Sequence, residues 1–348
     1  MKKFIKKHKA LFVIICVLFV AIAAVSVYFI FFNKKEEVKA KEEKPVIEKK
    51  LKIIDEDSKT RPYAVMINNH NTARKYHSGL QDAYIVYEMI VEGGITRMMA
   101  LFKDQTTEKI GSIRSARHYF LDYALENDAI YVHWGWSPQA QSDIKSLSIN
   151  NINGLTYEGT YFFRDKSLRV SSEHTGFTSI EKLDQAREKL NYRTNLKKDI
   201  LLNYSVDNID LSNKEDAIVA TNIDIPYSTS LKTSYVYDSE NKVYKRFVNG
   251  VEHADYVTKK QYTTKNIITY KLPNSTISGD QKGRQDVDTV GSGEGYYITN
   301  GYAIPITWEK ESRSSQTVYK YSNGKEIDVN DGNTYIQIQP TNFELSIS

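Results

Sequence analysis

Three stretches of this 348-residue sequence concentrate the residue types that carry chemistry. The first is EMIVEGGITR, Glu88 to Arg97, where two carboxylates and an arginine flank Gly93-Gly94. A Gly-Gly pair between apolar runs predicts a two-residue β-hairpin loop. If Glu92 pairs with Ile95, side-chain alternation puts Glu88, Ile90 and Glu92 on one face with Ile95, Arg97 and Met99. Two carboxylates facing each other in a cleft can leave one with a raised pKa, fit for general acid work; the same trio also suits a structural ion cluster.

The second stretch is IRSARH, with Arg114, Arg117 and His118 around Ser115. Ser115 can cap a helix carrying Ala116, Phe120, Tyr123 and Ala124 at 3.6-residue spacing, which puts Arg117 and His118 in the first turn and Arg114 just before it. Cations there oppose the helix dipole at a cost of a few tenths to about 1 kcal/mol, unless an anion joins them. A bound phosphate or carboxylate would answer both guanidinium groups, and so would Glu88 or Glu92 from inside the protein.

The third is FFRDKSLRVSSEHTGF, residues 162–177, a loop that gathers Arg164, Asp165, Arg169, Glu173 and His174. Polar groups crowded on a loop held by a rigid scaffold point to function. Ser171 or Ser172 beside His174 lacks the G-x-S-x-G elbow of a nucleophile. Between the last two stretches, AIYVHW reads as an apolar strand that includes Trp134, with His133 near its carboxyl end just before the turn at Gly135, Trp136, Ser137 and Pro138, where ligands collect in layered α/β folds. His133 reads as a hydrogen-bonded core group or a ligand contact, and the indoles as core, lid or sugar-stacking groups. The catalytic candidates are therefore Glu88, Glu92, His133 and His174. The ligand-binding candidates are Arg97, Arg114, Arg117, His118, Trp134, Trp136, Ser137, Arg164 and Asp165. The seven histidines show no metal-ligand spacing, and GSGEG at 291–295 precedes strands rather than a helix, so neither a metal nor another cofactor is expected.

The elements that must position these residues follow from periodicity. PYAVMINN, residues 62–69, is apolar and bounded by turn residues, a buried strand. Ser137-Pro138 caps a second helix, PQAQSDIKSL, and Thr178-Ser179-Ile180-Glu181 opens a third with Ile180, Leu183, Ala186 and Leu190 on one face. Strands alternating with helices predict a layered α/β (α+β) domain with a mixed sheet over residues 61–205. From 217 to 348, runs such as VYKRFV, GYYIT and TYIQIQP alternate with turns such as VNG and TNG, a β-rich second domain.

Ahead of both, ALFVIICVLFVAIAAVSVYFIFF at 10–32 carries no charge and reaches roughly 34 Å as a helix, enough to span a bilayer. It ends in bulky aromatics rather than small residues, unlike a cleaved signal peptide. The five lysines of residues 1–9 place that tail in the cytoplasm and everything after the span outside. Residues 33–60 are charged and interrupted by Pro45, a solvated stalk. Residues 1–52 hold 13 lysines against 5 glutamates, so the net charge of +4 belongs to topology and stalk, and the remainder is net acidic. Nucleic acid is not an expected partner. The single cysteine, Cys16, lies inside the span, which removes disulfides and thiolate chemistry from the outer part; Ile15 before it is not the small residue a lipidation site needs.

RPYAVMINNH at 61–70, GLQDAYIVYEMIVEGGITRMMALF at 79–102, IGSIRSARHYF at 110–120, WGWSPQA at 134–140, FFRD at 162–165, YKRFVNG at 244–250, GSGEGYYITNG at 291–301, ITWEK at 306–310 and the closing NDGNTYIQIQP together resemble the YerB-like extracytoplasmic proteins, a domain of unknown function (DUF3048). The resemblance implies an α/β N-terminal and a β-rich C-terminal part outside the membrane of Gram-positive-type cells. It implies no reaction, and the lipid attachment of many members does not carry over. The expected function is an envelope protein that binds an anionic glycan, cell-wall precursor or protein partner. The alternative is an envelope hydrolase or transferase using Glu88 or Glu92 as acid/base, with His133 or His174 assisting.

Overall fold

The computed structural model describes residues 2–37 and 50–348, in two units. The first is the helix Lys2–Glu37, whose segment Lys9–Phe32 is apolar and long enough to cross a membrane. Of the stalk expected over 33–60, residues 38–49 lie outside the described residues. Its last part touches the globular unit: Ile54 is buried in the core, and the amides of Lys52 and Ile53 donate to the Asp331 carboxylate.

The globular unit, Lys50–Ser348, is mixed α/β with a β-rich C-terminal part, organised around one 11-stranded sheet. Its centre is built from Tyr63–Asn68, Ile85–Ile90 and Thr96–Phe102, in which every residue is buried. Both faces are covered, so these strands are apolar runs rather than alternating ones. Ile130–His133 extends the sheet in parallel beside Tyr63–Asn68, and Asn151–Asn153 follows. On the other side, Thr334–Pro340 lies parallel to both Ile85–Ile90 and Asn266–Leu272, joining the early part of the chain to the late part. Gly291–Thr299 and Tyr302–Lys310 complete that flank.

Helix His118–Glu126 packs on one face: Tyr87 donates to Glu126, and the Tyr123 and Tyr270 hydroxyls bond. A six-stranded antiparallel sheet containing Asn222–Ser228, Leu231–Asp238 and Val243–Val248 covers the other face, with alternating buried residues pointing inward. Its hairpin turns at Asn249-Gly250, φ 49° and 76°, the left-handed pair a two-residue turn requires. Helix Pro138–Ser146 begins where Ser137 predicts, and helix Ile180–Lys189 is capped by Ser179, one residue past the Thr178 of the expected capping box, each serine hydroxyl accepting from the amide three residues on.

Two local expectations are corrected. The Gly93-Gly94 hairpin pairs Ile90 with Thr96 and Glu88 with Met98, one residue out of the expected register, because residues 91–95 form a longer loop closed by Val91 N–H to the Ile95 carbonyl. A one-residue slip exchanges faces. Glu88 therefore points to the six-stranded sheet and Arg97 to the helical side. The helix expected from Ser115 starts at His118, with Arg117 as an extended N-cap that makes no side-chain cap. Residues 114–116 run extended instead: Ala116 bridges Trp136, and the Ser115 hydroxyl donates to the Trp134 carbonyl.

Candidate functional site

The extended segment Arg114–Arg117 lies against the carboxyl end of the Ile130–His133 strand, tied by Trp134 N–H to the Arg114 carbonyl and Ala116 N–H to the Gly135 carbonyl. Arg97 enters from Thr96–Phe102, two strands away in the sheet, its Nη1 2.8 Å from the Ser115 carbonyl. Glu92, reaching back from the glycine loop, accepts Arg97 Nη2 at 2.8 Å and Arg117 Nε at 2.9 Å, with Arg117 Nη2 on the same carboxylate. Burial alone would raise the Glu92 carboxyl, but the two guanidinium groups outweigh it and hold it down to about 2. Glu92 is thus a fixed counter-charge at any physiological pH.

Arg114 has a different partner. Its Nη2 lies 2.5 Å from Glu173 Oε2, on the 3-10 turn Ser172–His174, and the Glu173 side chain is 47% exposed. His174, buried next to it, accepts the Asn68 amide on Nδ1 at 2.9 Å and stacks on His70. That acceptor role leaves the ring proton on Nε2, which faces Glu173 Oε1 at 3.6 Å. Burial lowers the His174 pKa against the pull of Glu173.

The other candidates frame this centre or leave it. Trp134 is buried against Gly154 and Gly176, and the Arg164 guanidinium sits 4.2 Å above its ring while Arg164 Nε reaches Glu158 at 2.9 Å. His133 is a fully buried group bonded to the Gly135 carbonyl and to Asn151, with its pKa lowered by burial, and Trp136 packs on its ring. Ser137 is spent on its cap. His118 turns to Asp286, 2.8 Å away, and Asp165 is held by Lys109 and by its own turn at Ser167.

Glu88 is in another place entirely. It has no exposed surface and pairs with Arg246 at 2.6 Å, while its Oε1 accepts from Asn69, Thr96 and Thr233. Glu88 and Glu92 therefore do not form the paired-carboxylate cleft the hairpin pattern suggested. From Arg246 a directed chain of hydrogen bonds runs on. Arg246 Nη1 can only donate to His253 Nδ1, so His253 Nε2 carries the proton to His77 Nδ1 at 2.8 Å, and His77 Nε2 donates to the Asn68 carbonyl at 2.6 Å. Asn68 is the residue that orients His174. Arg246, His253, His77 and Asn68 carry no local motif; only Glu173 lay in a stretch the sequence marked as polar.

Fold and site together describe an α/β unit and a β-rich unit fused through one sheet, with a buried charged seam and an arginine-rich rim. Family models for both halves match the chain: "Protein of unknown function (DUF3048) N-terminal domain" over residues 51–193 and the corresponding C-terminal domain over 223–336. The chain belongs to this YerB-like family. The protein described as "Putative lipoprotein YerB" from Bacillus subtilis (strain 168) is 33% identical over 301 residues, 86% of this chain and 87% of its own length. The crystal structure of YerB protein from Bacillus subtilis has the same fold, with a TM-score of 0.72 at 33% identity, covering 83% of this chain and 94% of that one.

Proposed function

We propose that this chain is an envelope protein held by its Lys9–Phe32 helix, amino terminus in the cytoplasm, whose globular unit binds an anionic group of a glycan, cell-wall precursor or protein partner at the Arg114 rim. One observation carries the reading. Arg97, Arg114 and Arg117 converge on two carboxylates, and the one that answers Arg114 is the half-exposed Glu173 on a short turn. One positive charge is left over, and an incoming anion can take the place of Glu173 on Arg114 as a charge-assisted hydrogen-bond acceptor. The relative's description as a lipoprotein supports an envelope location. The hydrolase alternative has less behind it, because Glu92 stays ionised and Glu88 is sealed against Arg246.

The test uses two substitutions with opposite expected signs. Retention of purified cell-wall polymer by the full chain in nonionic detergent should fall with Arg114→Ala and rise with Glu173→Gln. A fall with both variants sinks the displaceable-carboxylate idea, since a purely structural pair loses on either side. External protease on intact cells should release the globular unit; protection would reverse the orientation.

A further inference from the structure

A pocket of about 420 Å³ opens where the two halves meet, walled by residues 71–75 from the first and 248–259 from the second. It shares no lining residue with the Arg114 rim and includes His253 of the buried relay in its wall. Its charges are unusual in what they lack. Arg74 is half-buried, its Nη1 donates to the Asn69 carbonyl at 3.0 Å, and among the described residues no carboxylate pairs with it. Burial and the nearby Arg246 lower its pKa against the weaker pull of Glu88, which registers the cost of keeping a cation there. Lys75 and Lys259 form no ion pair among the described residues either; their amines rest 4.9 Å over the Tyr76 ring and 4.1 Å over the Tyr256 ring.

The one carboxylate inside the wall cannot answer them. Asp255 already accepts Val257 N–H and Thr258 N–H on Oδ1, and Gly79 N–H and the Tyr262 hydroxyl on Oδ2. Glu252 is exposed at the mouth. A buried or half-buried guanidinium without an acid is costly unless a ligand supplies the anion, and three cations around one space exceed what a single carboxylate needs. The volume leaves room beside the anion for a polyol or one sugar ring, and Tyr256 offers it an aromatic edge.

We propose that this seam pocket is a second binding site, for a phosphate ester carried on a polyol or sugar, with Arg74 and Lys259 holding the phosphate. It is independent of the Arg114 reading. The same chemistry is presented by a soluble glycerol phosphate unit and by a phosphatidylglycerol head group, so two probes separate the sources. The full chain in nonionic detergent is titrated with glycerol 3-phosphate, and separately in mixed micelles containing phosphatidylglycerol or phosphatidylcholine.

Saturable binding of glycerol 3-phosphate, or a response to phosphatidylglycerol that phosphatidylcholine does not give, is expected, and the probe that binds names the source. Arg74→Met should weaken it by about tenfold or more. Lys259→Met should weaken it too, and being on the surface it decides the matter if the Arg74 variant does not fold. Removing the mouth charge with Glu252→Gln should tighten binding roughly two- to fivefold, whereas Arg114→Ala should leave it unchanged. The proposal is overturned if neither probe binds, or if Arg74→Met and Lys259→Met both leave the affinity where it was.

Discussion

Glu88 and Arg246 meet at 2.6 Å with neither side chain exposed, 158 residues apart in the chain and one in each matched half of the family. Taking two charges out of water is repaid only by close geometry and by hydrogen bonds to the remaining lone pairs, which Asn69, Thr96 and Thr233 supply. Removing one partner strands the other. Glu88→Gln and Arg246→Met should each lower unfolding free energy by roughly 3–5 kcal/mol, and the double variant should cost clearly less than their sum. Urea denaturation of the four proteins measures this; simple additivity would mean that the pair is not coupled.

Glu92 holds Arg97 and Arg117 on the helical side of the same sheet. Glu92→Gln keeps the shape and removes the charge, so two guanidinium groups are left facing each other. A loss of about 3 kcal/mol is expected, partly restored by adding Arg117→Gln. If Glu92→Gln is neutral by thermal denaturation, the carboxylate is not the counter-charge described.

Acid should weaken the protein in two overlapping steps. Burial lowers the His77 pKa to about 3 and also lowers that of His253 well below its ordinary value, so below the ordinary histidine value of about 6.5 the unfolded chain takes up protons that the folded chain refuses. Stability then falls as pH drops from about 6.5 towards 3, by up to roughly 1.4 kcal/mol per pH unit for each histidine. Glu92, depressed to about 2, adds a loss in the same direction below about 4.3, where its unfolded form is protonated. Urea midpoints recorded from pH 7.5 to 4 should slope accordingly, and His77→Gln should flatten the upper part; an unchanged slope in that variant would count against the relay.

Trp134 is set by two glycines. A Cβ on Gly176 would sit 2.6 Å from the indole, and one on Gly154 2.5 Å. Gly176→Ala should cost about 1–3 kcal/mol by overpacking and shift tryptophan emission as the ring leaves Arg164. Wild-type emission and stability in that variant would show that the indole has room to move.

What the sequence revealed is what is local. Apolar runs bounded by turn residues located the central strands, Ser137 and, to within one residue, the Thr178–Glu181 capping box located two helix starts, and Asn249-Gly250 a hairpin. Ser115 carries the same capping signal, yet bridging of Ala116 to Trp136 recruits that segment into an extended path and the helix starts two residues later than that cap implies, at His118. The Gly93-Gly94 pair marked the turn but not its length, and length decides which face Glu88 occupies. At the candidate site, the arginines and Glu92 were visible as a group, while the partner of Glu88 was not, because nothing near residue 246 signals a contact with residue 88. Long-range charge pairing leaves no period in the sequence.

Thr334–Pro340 lies between Ile85–Ile90 and Asn266–Leu272, so the middle of the large sheet is filled by residues synthesised after every other strand of that sheet. A chain that stops short of them has two raw strand edges where the finished protein has none, and those edges are templates for pairing with other chains. Completion of the globular unit therefore waits for the arrival of that strand, and a product truncated before it is a candidate for aggregation and quality control rather than for partial function.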